Sequence, residues 1–482
     1  MRVSKFYNLG KTQPSLPFLD VDIEKDTKLF LNARAINLLN SDFGDHCKDL
    51  LQDYFHTLLS AVKTSDDRKA FDLLSHLREP NETHLGLSRA KSDGRGLGPE
   101  KAKQIWRSFC QSRAVKTGLL SDLEDTVLLI GGISVDILSD MITNILRGPL
   151  ISYTQGICTE FSIPMATDVS SGPVWNMNTK TWDVDYVSLP TPKEQKLLLV
   201  PKSIVRINAD YSVSEYYRHY ILERLSEEEK HKSTSLVRIM KSGKNKGEKK
   251  VYKTDLIAKY GKQEKAVSIK QTENFPEVFN AYKRDHEAPT PALSHRQIAE
   301  ALGNEPPDWV GLLKAVTSLP PGKKDAYRYE EAILNLVTAL FYPTLVDPET
   351  QTPIHDGLKR VDITFTNYAR TGFFEWVGRN YTAPYVFVEC KNFGEEIGNP
   401  EIDQIAMRLS NLRGMFGIVV CRKIEARESL LRRCQSVAKD DKKFIIVLDD
   451  NDLAQLVEEA RVIFPQDYEF PLLKSYFKQL VF

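Results

Sequence analysis

The sequence predicts an α/β fold for the C-terminal third, with a mixed sheet flanked by helices, and a mixed, largely helical fold for the N-terminal region. Three observations support this prediction. Residues 28–75 carry apolar side chains at helical spacing. Two apolar segments, 360–365 and 385–391, have the length of strands and carry charged residues. Beyond them, continuous apolar runs alternate with amphipathic segments, which is typical of parallel strands packed between helices.

The chain has 482 residues, of which 41% are hydrophobic, and this is too much for one small core. We therefore predict three regions. Residues 1–225 are expected to form a largely helical domain that recognises a partner or a substrate. Residues 226–324 are expected to form a basic linker with helical parts, and residues 325–482 to form the α/β domain.

The formal charge sums to zero over the whole chain but is unevenly distributed along the sequence. The 65 basic and 65 acidic residues give a formal net charge of zero, so attraction to nucleic acid must come from local patches. Residues 238–270 hold eleven basic and three acidic residues. Within them, residues 241–250 lack apolar periodicity, which predicts a flexible loop. Phosphate contacts are the functional interpretation, and solubility alone is the alternative.

Cysteine spacing and hydropathy indicate the compartment. The six cysteines show no Cys-X-X-Cys pairing, which argues against a zinc ribbon or a disulfide framework and fits a reducing environment. No apolar run approaches the roughly 20 residues that a membrane-spanning helix needs, and the first residues do not resemble a signal peptide. We therefore expect a cytoplasmic protein.

The N-terminal elements show no motif of a known family. Residues 50–59 and 135–146 predict amphipathic helices, and in the second a stripe of Asp and Asn residues is expected to be a solvated face rather than a metal or partner site. Residues 196–202 predict a short buried strand. Residues 294–303 resemble the first helix of a helix-turn-helix unit, but the prolines at 306 and 307 are expected to interrupt a second helix.

The most informative residues lie on the two predicted strands near the C-terminus. Asp362 stands in the first strand, and Glu389 and Lys391 stand at the end of the second. Successive side chains of a strand point to opposite faces, so Glu389 and Lys391 share a face and Cys390 points away. Asp362 joins them if the two strands are neighbours.

These residue types suit hydrolysis of a phosphodiester. Two carboxylates, Asp362 and Glu389, can hold Mg²⁺ through oxygen ligands, with Mn²⁺ as a possible substitute. The metal would act as a Lewis acid and lower the pKa of a bound water, while Lys391 could orient that water or stabilise the developing charge. Two alternatives remain open: a cross-strand ion pair between Asp362 and Lys391, and a fold that binds nucleic acid without cutting it.

The order of elements extends the pattern. A helix is predicted at 327–341 before the two strands, and a second begins near residue 400 after them. Apolar strands at 417–421 and 444–448 and a last helix at 451–460 follow. This succession resembles the PD-(D/E)XK nuclease superfamily, the restriction-endonuclease-like fold, over about residues 325–465.

The resemblance implies roles for individual residues. Asp362 matches the first metal-binding acid, Glu389 the second, and Lys391 the catalytic lysine. Val361 stands where many members carry proline, although many others lack it too.

Two further residues match the family less specifically. Glu331, or failing it Glu330, matches an acid often found on the first helix, and Gln404 matches a glutamine on the helix after the Glu-X-Lys strand. The alternatives are a first-turn acid that complements the helix dipole for Glu331 and an ordinary surface position for Gln404.

The resemblance implies a Mg²⁺-dependent endonuclease acting on DNA, with RNA as the alternative, in bacterial restriction or antiphage defence. A homodimer is expected if both strands are cut, and a protein partner or trigger is expected to act through residues 1–225. The competing hypothesis is a catalytically inactive nucleic-acid-binding or regulatory module of a multi-subunit complex.

Overall fold

The computed structural model describes residues 1–87, 99–208, 210–241, 246–288, 290–354, 358–462 and 468–482. In these ranges the protein is mixed α/β and mostly helical. Buried apolar side chains form two cores, one made almost wholly by residues 3–302 and the other by residues 316–480. No helix in the described ranges is both long and apolar enough to cross a membrane.

The first part of the chain is built from nine helices, named here as they occur in the described residues. The predicted helix at 50–59 is confirmed inside the third of them, whose first turn is capped by Ser41, which accepts a hydrogen bond from the Gly44 N–H at 3.2 Å. The helices are α1 (Val3–Phe6), α2 (Ala33–Asn37), α3 (Asp42–Lys63), α4 (Asp67–Ser75), α5 (Pro99–Gln111), α6 (Arg113–Thr117), α7 (Asp125–Leu129), α8 (Val135–Ile145) and α9 (Arg147–Glu160).

Short antiparallel strand pairs follow or join these helices: β1 with β6, β2 with β5, and β3 with β4. They stay two-stranded, so helices supply most of the first core. The strands are β1 (Phe30–Leu31), β2 (Ala166–Ser170), β3 (Val174–Asn176), β4 (Thr181–Asp183), β5 (Tyr186–Leu189) and β6 (Val205–Arg206).

The region predicted as a basic linker contains several helices and one strand pair. Its buried side chains, Leu256 and Phe279 among them, belong to the first core. Residues 242–245 of the predicted basic loop lie outside the described residues. The elements from residue 213, shortly before this region, to residue 317 are α10 (Val213–Glu215), a π-helical turn (Tyr216–Ile221), α11 (Leu222–Lys232), β7 (Arg238–Ile239), β8 (Lys249–Lys250), α12 (Lys253–Tyr260), α13 (Glu264–Asn274), α14 (Pro276–Asp285), α15 (His295–Leu302) and α16 (Trp309–Thr317).

Three predictions for these regions are wrong in whole or in part. Residues 197–200 are buried but form no strand, because their backbone groups bond to separate loops: the Leu198 N–H donates to the Glu82 carbonyl oxygen and the Val200 carbonyl oxygen accepts from Leu19. The polar stripe of α8 is a solvated face only in part: Asp136 and Asp140 are partly exposed, whereas Asn144 is fully buried and donates to the Arg78 carbonyl oxygen at 2.5 Å. A second helix, α16, does follow the prolines at 306 and 307, because the cap residue Asp308 restarts the helix just beyond them.

The C-terminal region contains a five-stranded mixed sheet in the order β13, β12, β11, β10, β9. The first three strands along the chain pair antiparallel, and the last three pair parallel. The predicted mixed sheet with flanking helices is thereby confirmed. Its elements are α17 (Ala326–Phe341), β9 (Leu345–Ile354), β10 (Lys359–Asn367), α18 (Gly372–Tyr381), β11 (Tyr385–Lys391), α19 (Asn399–Ala406), β12 (Phe416–Cys421), α20 (Arg427–Asp441), β13 (Phe444–Leu448), α21 (Asp450–Val462) and α22 (Pro471–Val481).

The two parts of the chain share a buried polar interface. The Tyr368 hydroxyl after β10 donates to the Ala35 carbonyl oxygen at 3.1 Å and accepts from Arg206 at 3.2 Å. The Lys11 ammonium donates to the Asn335 side chain on α17 at 2.6 Å. Tyr368 also packs in the first core, together with Tyr342. The N-terminal region therefore continues into the α/β region through both apolar and polar contacts.

Candidate functional site

Strand pairing brings Asp362 and Glu389 together. The antiparallel register pairs Ile363 with Val388, and continuing it by one residue places Asp362 directly opposite Glu389. Side chains of directly opposed residues lie on the same face of a sheet. The Asp362 carboxylate also accepts the Cys390 backbone N–H at 2.8 Å, which fixes its orientation.

The Glu389 carboxylate is wholly buried and is held by two cations. Its Oε2 lies 3.4 Å from the Lys391 ammonium, and its Oε1 forms an ion pair with the Arg408 guanidinium. Lys391 and Arg408 are themselves only 11% and 9% exposed at their side chains. A buried carboxylate is costly unless it is paired, so these two cations explain how Glu389 is accommodated.

Arg408 is the residue that our reading of the sequence missed. Desolvation lowers the pKa of its guanidinium, and the Asp362 carboxylate acts in the opposite direction. Arg408 lies two residues beyond the end of α19 and is buried, whereas Gln404 on that helix is exposed. Helical spacing therefore gives no signal for Arg408 in the sequence.

Of the two acids on α17, Glu330 is the one near the strand residues. Its pKa is raised mainly by desolvation and further by the Asp362 carboxylate, while Lys391 and a 2.7 Å hydrogen bond from Gln351 lower it. Glu331 instead pairs with Lys11 at 3.1 Å, and half of its side chain is exposed. The structure therefore brings Glu330, and not Glu331, into the electrostatic neighbourhood of Asp362 and Lys391.

Exposed cations lie at the outer end of β10. Arg360 stands two residues before Asp362, so it shares the same face of the strand, and it is exposed. Lys359 is also exposed and lies 3.9 Å from the Met407 sulfur. Arg360 is therefore the exposed cation on the face of Asp362, whereas Lys359 points to the opposite face of β10.

The donor chemistry at the site fits a hard divalent cation, but a complete set of ligands is not assembled. Asp362 and Glu389 supply carboxylate oxygens, the ligands that Mg²⁺ prefers. In the described part of the chain, no group of three or more His, Cys, Asp or Glu residues is placed to hold a metal ion. Arg408 and Lys391 neutralise Glu389 in this arrangement.

Comparison with known proteins reaches only the N-terminal region. A family model described as a domain of unknown function, DUF8370, matches residues 8–212, which is less than half of the chain. No curated protein and no solved structure matches this chain. The matched residues end before the strands that carry Asp362 and Glu389, so the assignment of this site depends on the geometry of its own residues.

Proposed function

We propose that the C-terminal region is a Mg²⁺-dependent endonuclease of the restriction-endonuclease-like fold that hydrolyses phosphodiester bonds of DNA, in bacterial restriction or antiphage defence. The observation that carries the proposal is the antiparallel register that pairs Ile363 with Val388, which, extended by one residue, sets Asp362 opposite Glu389, with Lys391 beside Glu389. The strand order, in which an antiparallel hairpin is followed by two parallel strands, supports the same assignment.

Asp362 and Glu389 would hold the metal, with Glu330 as a nearby third carboxylate. Bound Mg²⁺ would supply neutralisation of the phosphate and a water of lowered pKa. The Lys391 ammonium, 11% exposed and 3.4 Å from Glu389, would hydrogen-bond an attacking water or a phosphate oxygen, and its low exposure would strengthen that interaction. Arg360 would contact the phosphate backbone from the outer end of β10.

A cleavage assay tests the proposal. Supercoiled, linear and single-stranded DNA and RNA are incubated with Mg²⁺, Mn²⁺ or EDTA, using wild type, Asp362→Asn and Lys391→Met. We expect metal-dependent cutting of DNA that falls at least about 100-fold in both variants, which is typical when a group that stabilises the transition state is removed. Asp403→Asn is the matched control, because Asp403 is a surface acid of α19 paired with Arg433.

Cutting that persists in Asp362→Asn would refute the site. Failure of wild type to cut any substrate with either metal would favour a second candidate function, a catalytically inactive nucleic-acid-binding or regulatory module of a multi-subunit complex. Two observations favour that second function: Glu389 is fully buried under two cations, and the described residues include no three-ligand metal group. A gel-shift assay in EDTA distinguishes it, since binding would then occur without cleavage.

The remaining parts of the proposal concern assembly. A homodimer would bring two sites to the two strands of a duplex, and residues 1–225 would receive a protein partner or a trigger. Light scattering of the full chain with and without duplex DNA measures whether a dimer forms. Cleavage activity that appears only after addition of cell extract would indicate a partner or trigger.

A further inference from the structure

An open cleft of about 820 Å³ lies between the N-terminal region and the sheet. Its lining carries four acids and one base, which gives a formal charge of −3. Asp42 and Glu160 come from α3 and α9, Asp347 and Glu349 from β9, and the base is Arg413. We call this the acidic cleft. Its volume is in the range of small-ligand sites.

Two carboxyls of the acidic cleft are poorly solvated and lie near a third, Glu349. Desolvation raises the pKa of Glu160 to about 7, with Glu349 raising it further and Lys11 opposing. Desolvation likewise raises the pKa of Asp347 to about 6, with Glu349 again raising it and Lys202 opposing. Both carboxyls therefore lie in poorly solvated surroundings beside another carboxylate, and a bound cation would favour their charged forms.

A second observation, independent of the acids, indicates that the cleft takes a ligand. The Thr364 side chain is only 7% exposed and lines the cleft, and its hydroxyl has no hydrogen-bond partner among the described residues. The Tyr153 hydroxyl, on the opposite wall, is also buried without one. Buried hydroxyls are nearly always paired, so both can receive a polar group that enters the cleft.

Aromatic rings complete the lining. Phe43 lies 5.7 Å from Tyr153, measured between ring centroids, and Tyr385 and Phe387 line the sheet side. Aromatic faces beside carboxylates are the surroundings that bind ammonium and guanidinium groups. A compact metal ion fits less well, because no three acids in the described residues converge on one point.

We propose that the acidic cleft binds an organic polycation, a chain of protonated amines such as a polyamine or the lysine side chains of a peptide. Its ammonium groups would lie between the acids of α9 and β9, and its N–H groups would donate to the Thr364 and Tyr153 hydroxyls. This site adjoins the candidate nuclease site, because Thr364 is two residues from Asp362 on β10, about 7 Å along the strand. The proposal does not depend on nuclease activity.

Calorimetric titration of the full chain with spermidine at low ionic strength tests the site. We expect saturable binding that weakens about tenfold in the double variant Glu160→Gln, Asp347→Asn, because close charge pairs across an interface are lost. Glu458→Gln, a surface acid paired with Arg461, is the matched control and should bind as wild type does. If the double variant fails to fold, Glu349→Gln repeats the test at an exposed position.

Parallel titrations with a lysine-rich peptide and with Mg²⁺ identify the source of the cation. Tighter binding of spermidine than of the peptide assigns a free polyamine, and the reverse assigns a protein segment. The proposal is overturned if neither binds saturably, if equal concentrations of Mg²⁺ displace spermidine, or if the cleft variants bind as the control does.

Discussion

Replacing Arg408 by methionine tests the ion pair between Arg408 and Glu389, which the sequence did not predict. Arg408 forms one of the two ion pairs of Glu389, a carboxylate with no solvent exposure. Methionine keeps much of the apolar stem of arginine but removes the guanidinium. The variant therefore leaves a buried carboxylate with only Lys391, which lies 3.4 Å from the other carboxylate oxygen.

The expected loss follows from that geometry. Removing one partner of a buried ion pair costs roughly 3–5 kcal/mol when the remaining charge has no other partner. Lys391 still compensates part of the charge of Glu389, so we expect the free energy of unfolding to fall by about 2–3 kcal/mol. Adding Glu389→Gln should recover at least about 1 kcal/mol, because no buried charge then remains unpaired.

Urea unfolding of the single and double variants in EDTA measures these differences. Arg433→Met is the matched control, because the Arg433 pair with Asp403 is about one third exposed on both sides and should contribute less than about 1 kcal/mol. A loss in Arg408→Met no larger than in the control, or no recovery from Glu389→Gln, would refute the idea that Arg408 compensates Glu389.

Three further predictions concern other contacts. In a plasmid cleavage assay, Glu330→Gln should reduce metal-dependent cleavage, whereas Glu331→Gln should leave it unchanged. An equal loss in both variants would contradict the placement of α17. Because the pKa values of Glu160 and Asp347 are raised, the folded state holds protons that the unfolded state has lost, and the free energy of unfolding should fall as pH rises from about 4 to about 7. The urea midpoint of the Glu160→Gln, Asp347→Asn variant should change less with pH over that range than the midpoint of wild type. Tyr368→Phe removes two buried hydrogen bonds and should cost about 1–3 kcal/mol in urea unfolding, whereas a neutral result would show that the interface is not fixed by this hydroxyl.

The sheet could be predicted because each strand is specified locally. A continuous apolar run such as 416–421 is buried on both faces, and alternation around Glu389 sets which side chains share a face. The antiparallel pairing of β10 with β11 then places Asp362 on the same face as Glu389. These parts of the candidate site require only the period of a strand and one neighbouring strand.

Residues on helices were harder to place. Glu330 and Glu331 are adjacent, and neighbouring residues of a helix point about 100° apart, so the choice depends on how α17 packs against β9 and β11. Arg408 lies beyond the end of α19, where periodicity gives no guidance. The buried run at 197–200 has the composition of a strand but lacks a partner strand, and tertiary packing overrode its propensity.

The interface around Tyr368 also affects how the chain unfolds. Tyr342, Val346 and Tyr368 follow α17 in sequence, yet their side chains lie in the core formed by residues 3–302. A chain cut between the two cores would expose this apolar surface on the C-terminal fragment and leave a gap in the N-terminal one. Denaturation should therefore occur as one cooperative transition rather than two, and limited proteolysis should not release a stable α/β fragment.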